Sequence, residues 1–171
     1  MTSRTVTLSP VTDDEYHEIA ELQVLETARQ LELAGEVPAV ESRSEARLRL
    51  AELLADELRG AGHDFFVTRA PNLAARVGWV WIAPAPSFLG PNQEHTRWLS
   101  QITVEEPHRG RGLGRATFVA LERHLAQVGV KQLWLRVFDW NTVARSLYDS
   151  VGFELVRKFP NDSHLRKQIA T

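Results

Sequence analysis

Glycine and arginine alternate in one short stretch of this chain, Arg109-Gly-Arg-Gly-Leu-Gly-Arg115, between an apolar segment and an amphipathic one. Glycine lets the backbone turn with positive φ and lets a ligand come close. The first N–H groups of a helix lack intrahelical acceptors and carry the positive end of the helix dipole. A glycine-rich turn that enters a helix therefore predicts an anion site. An ordinary strand-to-helix turn and an Arg-Gly contact to nucleic acid are the alternatives on these residues alone.

The spacing of the glycines distinguishes between phosphate-binding motifs. No Lys-Ser or Lys-Thr follows them, so the P-loop pattern is absent. The dinucleotide fingerprint G-x-G-x-x-G would need glycine at Arg115 or Thr117, and it is absent too. The pattern R-x-x-G-x-G fits, with Arg109, Gly112 and Gly114 at its fixed positions.

Composition bounds the class of protein. The chain has 171 residues, of which 43% are hydrophobic and 25% charged. These values are typical of a globular protein, and we expect a single domain over residues 1–171. The chain has no apolar run of membrane-spanning length and no apolar segment typical of a signal peptide near its start. We therefore expect a cytoplasmic protein with no membrane partner.

Cysteine, histidine and charge exclude other classes of site. The absence of cysteine excludes disulfides, a thiolate nucleophile and thiolate metal sites. The 6 histidines are scattered without metal-ligand spacing, so we expect no metal. The isoelectric point of about 6.3 and the lack of a long basic stripe argue against a nucleic-acid partner.

Two helices are predicted before residue 63. Thr12 and Glu15 fit a capping box at the start of the first helix, which is expected to bury Ile19, Leu22 and Leu25. The second helix carries leucines at four-residue spacing, namely Leu50, Leu54 and Leu58.

The rest of the chain alternates strands and helices around the glycine turn. Strands are predicted at 64–70, 74–83, 97–104, 132–138, 154–159 and 164–169, after a first one at 4–8. A helix over about 112–128 is expected to bury Phe118, Leu121, Leu125 and Val128, and a short helix follows over 141–150. The order β-α-α-β-β-β-α-β-α-β-β predicts an α/β fold with helices on both faces of one mixed sheet.

Four segments combine in a recognisable order. They are Ile102-Thr-Val-Glu-Glu-Pro-His-Arg-Gly-Arg-Gly-Leu-Gly-Arg115, Leu133-Trp-Leu-Arg-Val137, Asn141-x-x-Ala-x-x-Leu-Tyr-x-x-x-Gly-Phe153 and Leu165-Arg-Lys167. Together they resemble the GCN5-related N-acetyltransferase (GNAT) superfamily, bacterial type, over residues 73–167. The resemblance implies the GNAT fold with a mostly antiparallel central sheet, acetyl-CoA as the acyl donor, and N-acetyltransferase activity.

The resemblance also implies roles for single residues. The pantetheine arm of the cofactor lies against Ile102, Thr103 and Val104, and the Val104 backbone N–H polarises the thioester carbonyl. Tyr148 borders the cofactor and is the expected general acid, which protonates the departing CoA thiolate. The other implied cofactor-binding residues are Arg109, Gly110, Arg111, Gly112, Leu113, Gly114 and Arg115, which hold the pyrophosphate, and Asn141, Ala144 and Arg145.

Simpler roles are also open to two of these residues. Asn141 is a preferred helix N-cap, and Tyr148 fits an ordinary half-buried tyrosine with one wet end. The seven residues between them correspond to two helical turns, which places both on one helix face.

The sequence leaves the general base open. Strict alternation along the strand puts Trp98, Ser100, Ile102 and Val104 on one face, and neither Trp98 nor Ser100 is a strong base. The candidates for proton removal are Glu105 at the end of the strand, His95 at its start, or a water wire through Ser100 and Gln101.

The expected acceptor is a primary amine of a small molecule, a peptide N-terminus or a lysine. Direct attack in a ternary complex needs only orientation, thioester polarisation and a leaving-group acid. The alternative is a noncatalytic acyl-CoA-binding or regulatory module of the same fold, since a fold alone does not give a function. A homodimer is expected only at the level of the family.

Overall fold

The computed structural model of the protein describes residues 5–54, 62–71, 73 and 75–170. The chain packs as two compact units, Met1–Pro10 together with Asp64–Thr171, and Val11–His63. The single domain expected from length stays a prediction. Within the described ranges, no helix has the length and apolar character needed to cross a membrane.

The unit Val11–His63 is a pair of helices, α1 (Asp13–Leu33) and α2 (Ala39–Leu54). The predicted capping box is confirmed, because the Thr12 hydroxyl accepts from the Glu15 N–H and the Glu15 carboxylate accepts from the Thr12 N–H. Both terminal nitrogens of Arg47 in α2 donate hydrogen bonds to the carboxylate oxygens of Glu21 in α1, at 3.0 and 2.6 Å.

The prediction that α1 buries Leu25 was wrong, because 48% of this residue is exposed. The buried stripe follows Ile19, Gln23, Val24, Ala28 and Leu31, a helical row that leaves Leu25 outside. On α2, Leu50 is buried as expected. The side chain of Leu54 and all of Leu58 lie outside the described residues.

The other unit is built on one seven-stranded sheet in the order β1-β2-β3-β4-β5-β7-β6. Every neighbouring pair is antiparallel except β4 and β5, which are parallel. The predicted element order and the mixed, mostly antiparallel sheet are therefore confirmed. The strands are β1 (Thr7–Pro10), β2 (Asp64–Arg69), β3 (Arg76–Pro84), β4 (Thr96–Val104), β5 (Gln132–Phe138), β6 (Glu154–Lys158) and β7 (Asp162–Gln168).

Two helices of this unit, α3 (Leu113–Gln127) and α4 (Thr142–Ser150), share one apolar core with one face of the sheet. From α3, Phe118, Leu121 and Leu125 enter this core as expected. The prediction for Val128 was wrong, because the helix ends at Gln127 and 61% of Val128 is exposed. The chain leaves the helix through Gly129, whose φ of 79° is the left-handed conformation that glycine adopts without strain. We call the side of the sheet that faces this core the helix face.

Candidate active site

Strands β4 and β5 pair for only part of their length. Their parallel register covers Thr96–Trp98 against Gln132–Trp134, whereas β4 continues to Val104 and β5 to Phe138. Beyond Trp98 the two strands diverge. The centre of the sheet therefore holds a gap that opens towards the glycine turn at the end of β4.

The backbone of β4 turns two of its residues towards this gap. The Glu105 N–H donates to the Val77 carbonyl at 2.9 Å, which makes the facing pair of Val104 and Gly78 a non-hydrogen-bonded pair. The N–H and C=O groups of Val104, and of Ile102 two residues earlier, therefore point away from β3. Thr103, between them, faces β3 with its backbone instead, and its hydroxyl accepts from the Gln101 amide at 3.0 Å.

The glycine turn presents free backbone donors. Gly110 and Gly112 have φ of 70° and 74°, the left-handed region that favours glycine. Within the described part of the chain, no backbone N–H from Gly110 to Arg115 donates to an acceptor, and the first bond of α3 runs from the Ala116 N–H to the Gly112 carbonyl. A Cβ on Gly110 would meet nothing within 4 Å. The turn is thus an open set of N–H groups at a helix N-terminus.

Gly114 has a different reason to be glycine. A Cβ there would lie 3.1 Å from Leu147 Cδ2 and 3.9 Å from Val104 Cγ2. This close approach brings the start of α3, the end of β4 and α4 together. The Leu113 side chain is buried in a small cluster with Val6 and Val77, so only its backbone faces the turn.

The arginines of the turn divide into two kinds. The Arg109 guanidinium donates through Nε to the Val104 carbonyl at 2.9 Å, which fastens the turn to the end of β4. Arg111 and Arg115 are exposed, and neither forms an ion pair with another described residue. These two side chains remain available to a phosphate.

Tyr148 of α4 lies in the apolar core of the helix face. Its ring centroid is 5.8 Å from that of Phe118 and 5.5 Å from that of Phe153. Burial raises the pKa of the Tyr148 phenol above its ordinary value, so the group stays protonated at neutral pH. Its hydroxyl forms no hydrogen bond with a described residue. Tyr148 follows Leu147, which packs beside the start of α3 and the end of β4.

The residues at the start of α4 have structural partners. The Asn141 side chain accepts from the Ala144 N–H at 3.2 Å and caps the helix. Arg145 donates to Asp139 at 3.1 Å and to Ser163 at 3.2 Å, which fastens α4 to β7. The neighbouring Trp140 has a buried indole N–H with no acceptor among the described residues. It is a further donor near the end of β5.

A β-bulge in β4 changes which of its side chains lie on the same face of the sheet. The register with β3 shifts so that Trp81 faces Gln101 and Ile82 faces Leu99, which leaves Ser100 as the extra residue. Ile102 packs against the core of the helix face, whereas Trp98 lies opposite Ala83 on the other face. The strict alternation that grouped Trp98 with Ile102 was therefore wrong.

The three candidates for proton removal lie in different surroundings. Glu105 accepts from Arg76 Nε at 2.6 Å in a partly buried ion pair. His95 precedes β4 at the end away from the glycine turn, and its Nδ1 is 3.0 Å from the Gly129 carbonyl. Ser100 forms the bulge two residues beyond the last β4–β5 pair, where the gap begins.

The face of the sheet opposite the helix face carries an aromatic cluster of Phe88, Trp98, Phe159 and His164. Ring centroids of His164 lie 5.1 Å from Phe88, 5.4 Å from Trp98 and 4.7 Å from Phe159. Burial among these rings lowers the pKa of His164; the charges of Arg136 and Arg157 act in the same direction, and Asp162 opposes them. Sequence analysis missed this cluster apart from Trp98, because its members come from four separate segments and no local pattern connects them.

No group of three or more His, Asp or Glu side chains suited to a metal ion is found among the residues that the structure describes. The free donors at the gap and at the glycine turn are backbone N–H groups and the exposed side chains of Arg111 and Arg115. This set suits an anionic, amide-containing ligand that lies between the strands.

Comparison with known proteins gives the same picture. The sequence model of the acetyltransferase (GNAT) family matches residues 22–153. Over 78 residues the chain is 36% identical to YycN, an uncharacterised N-acetyltransferase of Bacillus subtilis, and this match covers 46% of the chain and 47% of YycN. Over 79 residues it is 32% identical to the spermine/spermidine N(1)-acetyltransferase of the same organism, covering 46% of the chain and 52% of that protein. These matches span about half the length of each relative.

Two solved structures resemble the whole chain. The crystal structure of YycN superposes with a TM-score of 0.81 at 25% identity and covers 91% of this chain and 96% of its own. The spermidine N-acetyltransferase of Vibrio cholerae, solved with CoA and spermine, superposes with a TM-score of 0.68 at 18% identity, covering 96% of both chains. The second likeness concerns the fold alone.

Proposed function

This chain belongs to the acetyltransferase (GNAT) family, and on that premise we propose that it is an N-acetyltransferase that transfers the acetyl group of acetyl-CoA to a primary amine. Relatives named N-acetyltransferases and the fold support this assignment. Transfer is direct, in a complex that holds both substrates.

One observation carries the proposal: the free N–H groups of the glycine turn lie at the open end of the β4–β5 gap. A pyrophosphate accepts hydrogen bonds at the turn, since the turn combines unpaired donors with the helix dipole. An extended pantetheine arm in the gap pairs with the backbone groups of Ile102 and Val104, as an added strand would. The cosubstrate therefore satisfies donors that the fold leaves unpaired.

The chemistry needs little beyond this orientation. The Val104 N–H donates to the thioester carbonyl oxygen and stabilises the charge that develops there. The amine nitrogen bonds to the carbonyl carbon as the carbon–sulfur bond breaks, and Tyr148 gives its phenolic proton to the departing thiolate. Burial raises the pKa of Tyr148, so the phenol carries its proton when the thiolate forms.

Proton removal from the amine is assigned to water at Ser100. The bulge at Ser100 lies where the gap begins, whereas Glu105 is held by Arg76 and His95 lies at the far end of the strand. A water held by the Ser100 hydroxyl carries the amine proton to solvent. If the amine proton leaves to solvent in this way, activity should rise with the fraction of the amine that is neutral.

The test is a calorimetric titration with acetyl-CoA, with CoA and NADH as comparators. We expect saturable one-site binding of acetyl-CoA and CoA, and none of NADH. In Gly110→Val the side chain enters the space reserved for the phosphate, and we expect at least a 100-fold loss of affinity.

Gly129→Val is the matched control. Its φ of 79° is also left-handed, and a Cβ there likewise meets nothing within 4 Å. Both variants should lose similar stability, about 1–2 kcal/mol from the left-handed conformation, while only Gly110→Val loses acetyl-CoA. Equal affinities in the two variants would overturn the phosphate site.

Amine transfer distinguishes the enzyme from its alternative. A noncatalytic acyl-CoA-binding module would bind acetyl-CoA in the same way and release no free thiol with any amine. Thiol release with an amine panel, absent without amine, supports the enzyme. A homodimer and a cytoplasmic location stay predictions, and sedimentation at several concentrations tests the first.

A further inference from the structure

Arginines flank the aromatic cluster on the sheet face opposite Tyr148. Arg136 and Arg157 are the cross-strand neighbours of His164, and Arg166 lies two residues along β7 on the same face. Each guanidinium carbon lies over a ring, Arg136 over Phe138 at 4.4 Å, Arg157 over Phe159 at 4.9 Å and Arg166 over Trp134 at 5.6 Å. An arginine held over a ring in this way can still donate through its N–H groups, as Arg136 does to Asp162.

Positive charge exceeds negative charge at this place. Arg136 is paired with Asp162 through Nε at 2.9 Å and a terminal nitrogen at 2.7 Å. Arg157 and Arg166 form no ion pair with any residue in the described ranges, although Glu154 is the cross-strand neighbour of Arg166. Two guanidinium groups beside the aromatic cluster therefore lack a counter-ion among the residues that the structure describes.

Two of the nearby carboxylates, Asp139 and Asp162, are already in ion pairs. Asp139 binds Arg145 and Lys158, and Asp162 binds Arg136. A polycationic amine would meet arginines here, and these carboxylates have little left to offer it.

The cluster lies where an acceptor would approach. Trp98 is the last β4 residue paired with β5, and Arg136 is two residues beyond Trp134, on the part of β5 that borders the gap. The glycine turn leads into α3, which packs on the helix face with Tyr148. If acetyl-CoA enters from the helix face, the opposite face of the sheet stays open to the attacking amine.

We propose that the acceptor is a primary amine that carries a carboxylate, with the carboxylate bound by Arg157 and Arg166 and the apolar part of the molecule packed against Phe88, Trp98 and His164. The proposal rests on the acetyl transfer proposed above and specifies its substrate class. It separates this chain from relatives whose names specify spermine or spermidine.

The first test measures binding, so that it does not depend on turnover. With the protein saturated by CoA, calorimetric titration compares two matched pairs, phenylalanine against phenethylamine and 6-aminohexanoate against hexylamine, with spermidine as the polycation. We expect at least one carboxylate-bearing amine to bind about 10-fold more tightly than its partner, as a charged hydrogen bond implies. Spermidine that binds more tightly than both acids would overturn the proposal.

Variants locate the carboxylate. Arg157→Ala and Arg166→Ala should each lower the affinity for the preferred acid about 10-fold and leave that for its carboxylate-free partner unchanged. Arg157→Lys and Arg166→Lys should recover part of the loss, because a lysine keeps the charge without the planar fork. Arg123→Ala on the exposed side of α3 is the control and should change neither affinity. Equal losses for both members of a pair would show that the arginines act only on structure.

Turnover with the same amines separates the two proposals. If the acids bind as expected but no amine releases CoA from acetyl-CoA, the subsite stands and the transferase fails. If hexylamine and spermidine are acetylated with higher kcat/KM than the acids, the transferase stands and the carboxylate preference fails.

Discussion

The two candidate sites of the central sheet differ in the groups that form them, which are backbone N–H groups in one and side chains in the other. The proposed acetyl-CoA site consists of backbone N–H groups from the glycine turn and from the gap edge of β4, next to the buried apolar core of the helix face. On the opposite face lie the aromatic cluster and the arginines beside it, whose side chains come from β4, β5, β6, β7, the β6–β7 turn and the loop at Phe88. A backbone site depends on chain geometry, whereas a side-chain site can change its specificity by single substitutions.

This difference has a consequence for how each site tolerates mutation. A donor site made of N–H groups keeps its chemistry under most substitutions, and it fails where a Cβ or a non-glycine φ intrudes. The cluster on the other face can lose one arginine without a change in fold, since Arg157 and Arg166 are bound to no other described carboxylate.

Tyr148→Phe should lower kcat about 100-fold or more at neutral pH, the range expected for the loss of a general acid. The affinity for acetyl-CoA should hold, because that binding rests on backbone groups. Stability should change little, since the hydroxyl has no partner among the described residues. Stopped-flow thiol release measures kcat, and a thermal melt measures stability. An unchanged kcat would show that Tyr148 is not the general acid.

Gly78→Ala should destabilise the protein by about 3 kcal/mol, the upper range for overpacking. A Cβ there would lie 2.0 Å from the Thr103 carbonyl oxygen, which belongs to the central strand β4. Gly114→Ala should cost less, because its nearest neighbour at 3.1 Å is the end of the flexible Leu147 side chain. Urea unfolding ranks the two, and the reverse order would contradict the strand register.

Glu105→Gln should cost about 1 kcal/mol of stability through its partly buried ion pair with Arg76. Activity should stay within about threefold of the wild type, because this carboxylate is assigned no proton transfer. Steady-state kinetics at saturating acetyl-CoA provide the measurement. A loss of 100-fold, the size of a lost general base, would return Glu105 to that role and remove the water at Ser100.

His164→Phe should flatten the decline of stability with acid. The pKa of His164 is lowered from 6.5 in the folded protein, so the unfolded chain takes up the proton first. The contribution of His164 to the free energy of unfolding is therefore at its maximum above pH 6.5. It is lost as the pH falls from 6.5 towards the lowered pKa of the folded protein. Urea midpoints at pH 7.5 and 5.5 for both proteins test this; parallel declines would contradict it.

Local patterns were enough to predict the order of elements and the glycine turn that enters α3. The capping box at Thr12, the order of strands and helices, and the glycine turn all depend on residues close in sequence. Each is governed by hydrogen bonds or dihedral angles within a few residues, so the sequence alone predicts them. The errors at Leu25 and Val128 arose where the buried row or the end of a helix is settled by packing.

The amino-acid sequence by itself therefore predicts the order of elements, the family likeness and the glycine turn at the start of α3. The tertiary structure alone decided the rest, which includes the bulge at Ser100, the ion pair that holds Glu105 and the cluster around His164. Strand register and cross-strand neighbours depend on segments far apart in sequence, and a single extra residue in β4 reverses the face of every side chain before it.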